Sequence, residues 1–199
     1  KFPQEGDAPV KVIVNNQVKF TGKVASGVIG TAKRYPIIKT GWDTGDHKEL
    51  GFRIAVNRTN EAINNVVLTD TIESKAVSYK AGSFKIFKGT WEYINGKWEL
   101  KNKQDVTSQY TVNATDSTFS INFGNLSATD QFSVEYFANV DYTAVDREVI
   151  KNKATLKRAG KEDFDSKSNV KIQIAGGEGV GYEFSIKVTK VDEKIGRAS

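Results

Sequence analysis

FRIAVNRTNEAINNVVLTDTI, residues 52–72, carries two strand-like runs on either side of a short polar loop. They belong to segments Leu50 to Asn57 and Asn65 to Thr71, each apolar and β-branched within and closed by turn-forming residues. Outward from this pair, similar short segments recur at the spacing of a β-sandwich: Pro36 to Lys39, Ser83 to Lys88, Thr118 to Phe123, Gln131 to Asp141, Glu148 to Lys157 and Ser168 to Ile174. No convincing helix longer than a few turns interrupts them. Across the chain, 20 Val, 15 Ile and 16 Thr stand against 5 Leu, a balance that favours pleated strands because β-branched side chains are stiff at χ1.

The sharpest local signal is WEYINGKWEL, residues 91–100, a hairpin whose Asn95-Gly96 supplies the two positive-φ positions of a type I′ turn. In that register Tyr93 faces Trp98. Trp91, Tyr93, Trp98 and Leu100 then share one face, with Glu92, Ile94, Lys97 and Glu99 on the other. Most aromatic stripes are packing, so a sandwich edge covering its own core is the first reading, and an exposed ligand platform of Trp91, Tyr93 and Trp98 the second.

Composition excludes much chemistry. The chain has 199 residues, 29 basic and 24 acidic, for a formal charge of +5, with 38% hydrophobic and 11% aromatic residues. It can close a core, so disorder over most of its length is not expected. No cysteine is present and His47 is the only histidine, which removes disulfides, thiol nucleophiles, iron–sulfur clusters and zinc sites built on cysteine or several histidines. No cofactor and no metal is expected. Acidic residues interleave with the basic ones, so no phosphate-tracking stripe points to nucleic acid. No apolar run approaches the roughly 20 residues that span a bilayer, so no membrane partner is expected.

Residues 40–46, TGWDTGD, form a Gly/Asp loop next to His47. A calcium role for Asp43, Asp46 and Glu49 lacks the spacing of a known calcium loop, and a solvated acidic loop is the more usual finding. His47 beside Asp46 lacks a nucleophile-elbow pattern, no carboxylate pair stands out for glycoside hydrolysis, and an enzyme is the least favoured class. The glycine-rich AGGEGVG, residues 175–181, lacks the Lys-Ser/Thr of a phosphate-binding loop and reads as a joint.

Three parts follow. Residues 1–35 read as a strand pair around Asn15-Asn16 with a linker, either the end of a preceding domain or, preferably, an added hairpin; residues 36–175 are the main sandwich; residues 176–199 are the joint and a first strand, Phe184 to Asp192, of a following domain. Lys1 opens the chain without a start methionine, as in an excised piece.

FRIAVNRTNEAINNVVLTDTI, then YKAGSFKIFKG and finally VIKNKATL resemble the collagen-binding-type adhesin domain of Gram-positive surface proteins, the family of the staphylococcal collagen adhesin. Phe52 stands where such domains often carry Trp. The likeness covers roughly residues 36–175, and IKVTKVDEKIG resembles the opening of the small repeat domain that follows in such stalks, with Lys190 at the position of that domain's own lysine. The resemblance implies an all-β, immunoglobulin-like sandwich and, as in many members, a self-made isopeptide bond. Its matching residues are Lys39 in PIIKTG, Asp70 in VVLTDTI and Asn152 in VIKNKATL.

The chemistry explains the residue types. Burial favours neutral, nucleophilic lysine and a protonated acid. A protonated Asp70 would donate to the Asn152 amide oxygen and stabilise the tetrahedral intermediate as ammonia leaves. This is one turnover inside the fold, driven by proximity, and not an enzyme activity. The plain alternative has Lys39 snorkelling at a strand end, Asp70 capping a turn and Asn152 bridging backbone groups.

Two functions fit the resemblance: an adhesin that binds a host extracellular matrix protein, collagen being the family's usual ligand, or a covalently locked spacer in a surface stalk or pilus. Both imply an extracellular, cell-wall-anchored protein.

Overall fold

A computed structural model describes residues 32–174 in full and the backbone of residues 180–188. The strand pair and Asn15-Asn16 expected near the N-terminus lie outside the described residues, as does Lys190. Two antiparallel sheets of six strands face each other, as expected of an immunoglobulin-like sandwich.

The first sheet runs in the order β1 (Ile37–Asp43), β2 (Glu49–Val56), β9 (Gln131–Val140), β5 (Lys85–Ile94), β6 (Lys97–Asp105), with the short β4 (Val77–Tyr79) also on β9. The second is ordered β12 (Val180–Val188), β11 (Phe164–Ile172), β10 (Val149–Lys157), β3 (Ile63–Ile72), β8 (Thr118–Leu126), β7 (Val112–Ala114).

Alternation decides which residues meet between the sheets. Phe52 and Ile54 of β2, Val134 and Tyr136 of β9, Leu68 and Ile72 of β3, and Ile150, Ala154 and Leu156 of β10 are all buried. At an edge of the first sheet, β1 also reaches the second, because the Lys39 backbone N–H donates to Ser166 Oγ of β11 at 2.9 Å. Gly41 keeps this corner tight. A Cβ there would sit 2.5 Å from Ser168 Oγ and 2.7 Å from the Phe52 ring, closer than real Cβ contacts come.

Several boundaries differ from those read in the sequence. β11 begins at Phe164 rather than Ser168, because its inward face includes the small polar Ser166 and Ser168, which break the apolar alternation while being fully buried. β6 continues past Leu100 through the polar run to Asp105, held by pairs such as Phe87↔Asp105. The short β4 and β7 carry too little pattern to be read. At the C-terminal end, residues 175–179 of the expected joint lie outside the described residues, and Val180–Val188 pairs with β11, from Ile172↔Val180 to Phe164↔Val188. The open edge of β11 offers unpaired backbone groups that an adjoining extended segment satisfies.

The loop between β2 and β3 is organised by Asn57. It is fully buried at φ 62°, and its Nδ2 donates to Glu61 O and Asp130 O, each at 3.0 Å, while its Oδ1 accepts from Glu61 N–H at 3.2 Å. Its carbonyl accepts from Gln131 Nε2 at 2.9 Å, and Gln131 Oε1 in turn accepts the Trp91 N–H at 3.0 Å. Asn tolerates the left-handed region that this corner demands. Asn57→Ala is expected to lower unfolding free energy by about 3 kcal/mol, because buried carbonyls lose donors and the strained φ remains. Urea unfolding followed by Trp fluorescence measures it, and a loss below about 1 kcal/mol would contradict this account.

Candidate functional site

The three residues singled out by motif converge in the core. Lys39 points inward from β1 beside Ile54 of β2, Asp70 from β3 between Leu68 and Ile72, and Asn152 from β10 between Ile150 and Ala154. Each occupies an inward position of an alternating strand, so the pattern that buries the apolar neighbours buries these polar groups too. Their exposures are 0%, 1% and 1%. This excludes the plain reading in which Lys39 snorkels at a strand end.

Lys39 Nζ lies 2.8 Å from Asp70 Oδ1. It also hydrogen-bonds to Tyr136 Oη and sits 4.7 Å from the ring centroids of both Phe52 and Tyr136. Asp70 Oδ2 accepts from the Tyr79 hydroxyl at 2.7 Å and the Tyr136 hydroxyl at 2.9 Å. Asn152 Nδ2 donates to Tyr136 Oη at 3.1 Å, while its Oδ1 is buried with no hydrogen-bond partner. The structure thus joins Lys39 to Asp70 directly and Asn152 to both through Tyr136. The carboxylate oxygens of Asp70 meet Lys39, Tyr79 and Tyr136, and no hydrogen bond from Asp70 to the Asn152 amide oxygen is present among the described contacts.

Phe52 and Phe84 stack on Tyr136 with centroids 5.3 and 5.2 Å away, and Tyr79 and Phe119 meet it edge-on at 5.5 and 5.1 Å. This aromatic box excludes water. Burial lowers Lys39 from its ordinary 10.5, although Asp70 opposes the shift. Tyr136 is pushed well above 10 by burial, then by Asp70 and Tyr79, and Tyr79 rises for the same leading cause. Both tyrosines therefore remain phenols. Neither was singled out from sequence; the available signal was a tyrosine in alternation with Phe132, Val134, Ala138 and Val140, as Tyr136 stands in QFSVEYFANV.

The candidate platform residues do not form an open face. Trp91 and Trp98 are 2% and 8% exposed, and only Tyr93, cross-strand from Trp98, is partly open. The Arg58 guanidinium lies 4.4 Å from the Trp91 ring centroid and 4.5 Å from that of Trp98, while Arg53 lies over Trp91 and Arg34 over Trp98. These cation–π contacts hold a buried arginine, whose pKa falls well below its ordinary value through burial and the neighbouring Arg53 and Arg34. The stretch read as a Gly/Asp loop is strand through Asp43, since β1 runs to that residue and β2 begins at Glu49, and its acids act separately. Buried Asp43 accepts from the Gly45 and His47 N–H groups and contacts the His47 ring, Asp46 accepts from Lys48 N–H, and Glu49 pairs with Lys80 at 2.7 Å. Among the described residues, no group of three potential metal ligands converges.

Residues 35–169, which hold Lys39, Asp70 and Asn152, match the model of the collagen binding domain family. The chain belongs to that family. The chain resembles the collagen binding subdomain of the Enterococcus faecalis surface protein ACE, with 12% identity, a TM-score of 0.53, and coverage of 72% of this chain and 100% of that one. It also resembles the collagen binding domain of the Erysipelothrix rhusiopathiae surface protein RspB, with 17% identity, a TM-score of 0.50, and coverage of 77% and 49%. No curated protein matches it.

The lowered pKa of Lys39 gives the unlinked domain a pH signature. Between that lowered value and 10.5 the unfolded chain binds more protons than the folded one, so stability rises with pH; below it, the cost of burying the charge is fully present. Raised Tyr79 and Tyr136 act oppositely above about pH 10, so the lysine must be isolated by difference. Unfolding free energies of Asn152→Ala and Lys39→Met/Asn152→Ala, compared from neutral pH upwards, are expected to shift in favour of the lysine-containing chain as pH approaches 10.5, by up to about 1.4 kcal/mol per pH unit. A flat difference would mean the lysine titrates alike in both states.

Proposed function

We propose that this domain is a module of an extracellular bacterial adhesin displayed on the cell wall, binding a collagen-like host matrix protein and locked by a Lys39–Asn152 isopeptide bond. Membership of the collagen binding domain family supports the adhesin reading, and the burial of Lys39, Asp70 and Asn152 around one tyrosine hydroxyl supports the bond. The similar solved domains come from surface proteins of Gram-positive bacteria, in keeping with a surface location.

The reaction joins Lys39 Nζ to Asn152 Cγ and releases one ammonia. Asp70 takes the proton that makes Nζ nucleophilic, and the fold supplies the proximity. The closed loop exceeds 100 residues, for which the chain-entropy model gives about 4.7 kcal/mol, and unlike a disulfide it is indifferent to reductant.

A second reading, the locked spacer, is favoured by one observation. With Trp91 and Trp98 buried, the large hydrophobic residues exposed among those described are Val145 and Ile174, which make no platform. Solid-phase binding to collagen separates the two: saturable binding that survives Trp98→Ala is expected of the adhesin, and no binding by the chain identifies the spacer. Intact mass tests the bond independently. The parent chain is expected one ammonia light, and Lys39→Ala and Asn152→Ala at full mass; a parent at full mass would sink the cross-link.

A further inference from the structure

Tyr136 Oη is the one atom described that hydrogen-bonds to Lys39, Asp70 and Asn152 together. We propose that Tyr136 is a catalytic residue of the cross-linking reaction, carrying a proton from the attacking Lys39 nitrogen to the departing Asn152 nitrogen. This inference rests on the isopeptide reading above.

The need for such a group follows from the contacts. An amide nitrogen leaves poorly unless protonated, and Asn152 Nδ2 meets Tyr136 rather than Asp70. Asp70 is occupied, with Oδ1 on Lys39 and Oδ2 on Tyr79 and Tyr136. Asn152 Oδ1 has no donor, so the tetrahedral adduct gains nothing from a preformed oxyanion hole and must collapse by prompt protonation of its leaving group.

The steps balance. Lys39 Nζ gives one proton to Asp70 Oδ1, and its freed electron pair forms the bond to Asn152 Cγ as the carbonyl π pair moves to Oδ1. Nζ then bears two hydrogens and a positive charge. Attack also makes Nδ2 tetrahedral, so the nitrogen that donated to Tyr136 now presents it with a lone pair. The Tyr136 hydroxyl turns from Asp70 to Nδ2, delivers its proton there, and takes one from Nζ. The carbonyl re-forms, the Cγ–Nδ2 bond breaks, ammonia departs, and Asp70 retains the proton that Lys39 gave up. Tyr136 ends as it began. Burial keeps this hydroxyl a phenol, so it gives its proton to Nδ2 and takes one from Nζ in the same exchange without persisting as a phenolate.

Tyr136→Phe removes the hydroxyl and keeps the ring that Phe52 and Phe84 pack against. Tyr79→Phe is the comparison, since its hydroxyl contacts Asp70 and the Ser117 carbonyl without a described hydrogen bond to Lys39 or Asn152. Each chain is made by cell-free synthesis and sampled over time by intact mass, with Trp fluorescence in the same samples dating the completion of folding. After folding, ammonia loss is expected to be at least about 100-fold slower in Tyr136→Phe than in the parent, and within about tenfold of the parent in Tyr79→Phe. Equal slowing in both variants would overturn the shuttle, leaving Tyr136 as a positioning residue for Asp70. A parent that never loses ammonia would overturn the isopeptide reading itself. If Tyr136→Phe does not fold, the parent decides by its solvent isotope effect on the step after folding: a rate about twofold or more slower in heavy water is expected, and equal rates would overturn the proposal.

Discussion

A lysine with no solvent exposure depends on a counter-charge whenever it holds its proton, and the Lys39–Asp70 contact at 2.8 Å supplies it where the two sheets meet. Removing one member of such a buried pair typically costs about 3–5 kcal/mol, because the other is left charged and unpaired. The surroundings follow from that constraint. The remaining Asp70 oxygen needs donors, met by Tyr79 and Tyr136; the lysine stem and head need apolar and π surfaces, met by Phe52 and the Tyr136 ring; and Gly41 must lack a side chain so that Phe52 can take its place.

The pair also joins the sheets in a way that hydrophobic packing alone does not. Lys39 comes from β1 at an edge of the first sheet, Asp70 and Asn152 from adjacent strands of the second. Hydrophobic contacts between sheets tolerate sliding, whereas directed hydrogen bonds between Lys39, Asp70, Tyr136 and Asn152 fix one register across the interface. The bond from the Lys39 N–H to Ser166 adds a second fixed point, which holds β1 against β11 as well as against β2.

Much of the fold was legible because its signals are local. Asn95 and Gly96 have φ of 51° and 77°, as the hairpin reading demands, and Tyr93 does pair with Trp98. Motif placed Lys39, Asp70 and Asn152, yet it could not show that Tyr136 stands between them, since that depends on four strands brought together by the sandwich. The Trp91 face was legible as a face but not in what covers it. Arg58 follows Asn57 in a loop, and no periodicity connects a loop arginine to two tryptophans of a distant hairpin. Likewise no apolar alternation marks the serines of β11 as inward, and only the fold sets Lys39 and Gly41 against them.

The proposed cross-link changes more than connectivity. An isolated buried ion pair is a poor source of stability, since desolvating both charges consumes most of their attraction, and hydrophobic replacements often do better. Amide formation consumes that pair: the lysine nitrogen becomes a neutral amide, Asp70 ends carrying a proton, and departing ammonia removes the third polar group from a dry aromatic box. The arrangement that is costly before reaction is therefore the source of its own driving force, because the net reaction lowers the charge held away from water. The same reasoning explains why the site is built from a lysine and a carboxylate under aromatic cover instead of from a solvated pair. In water the ammonium form would be favoured and the nucleophile lost, while burial in the core shifts the lysine toward its neutral, nucleophilic form.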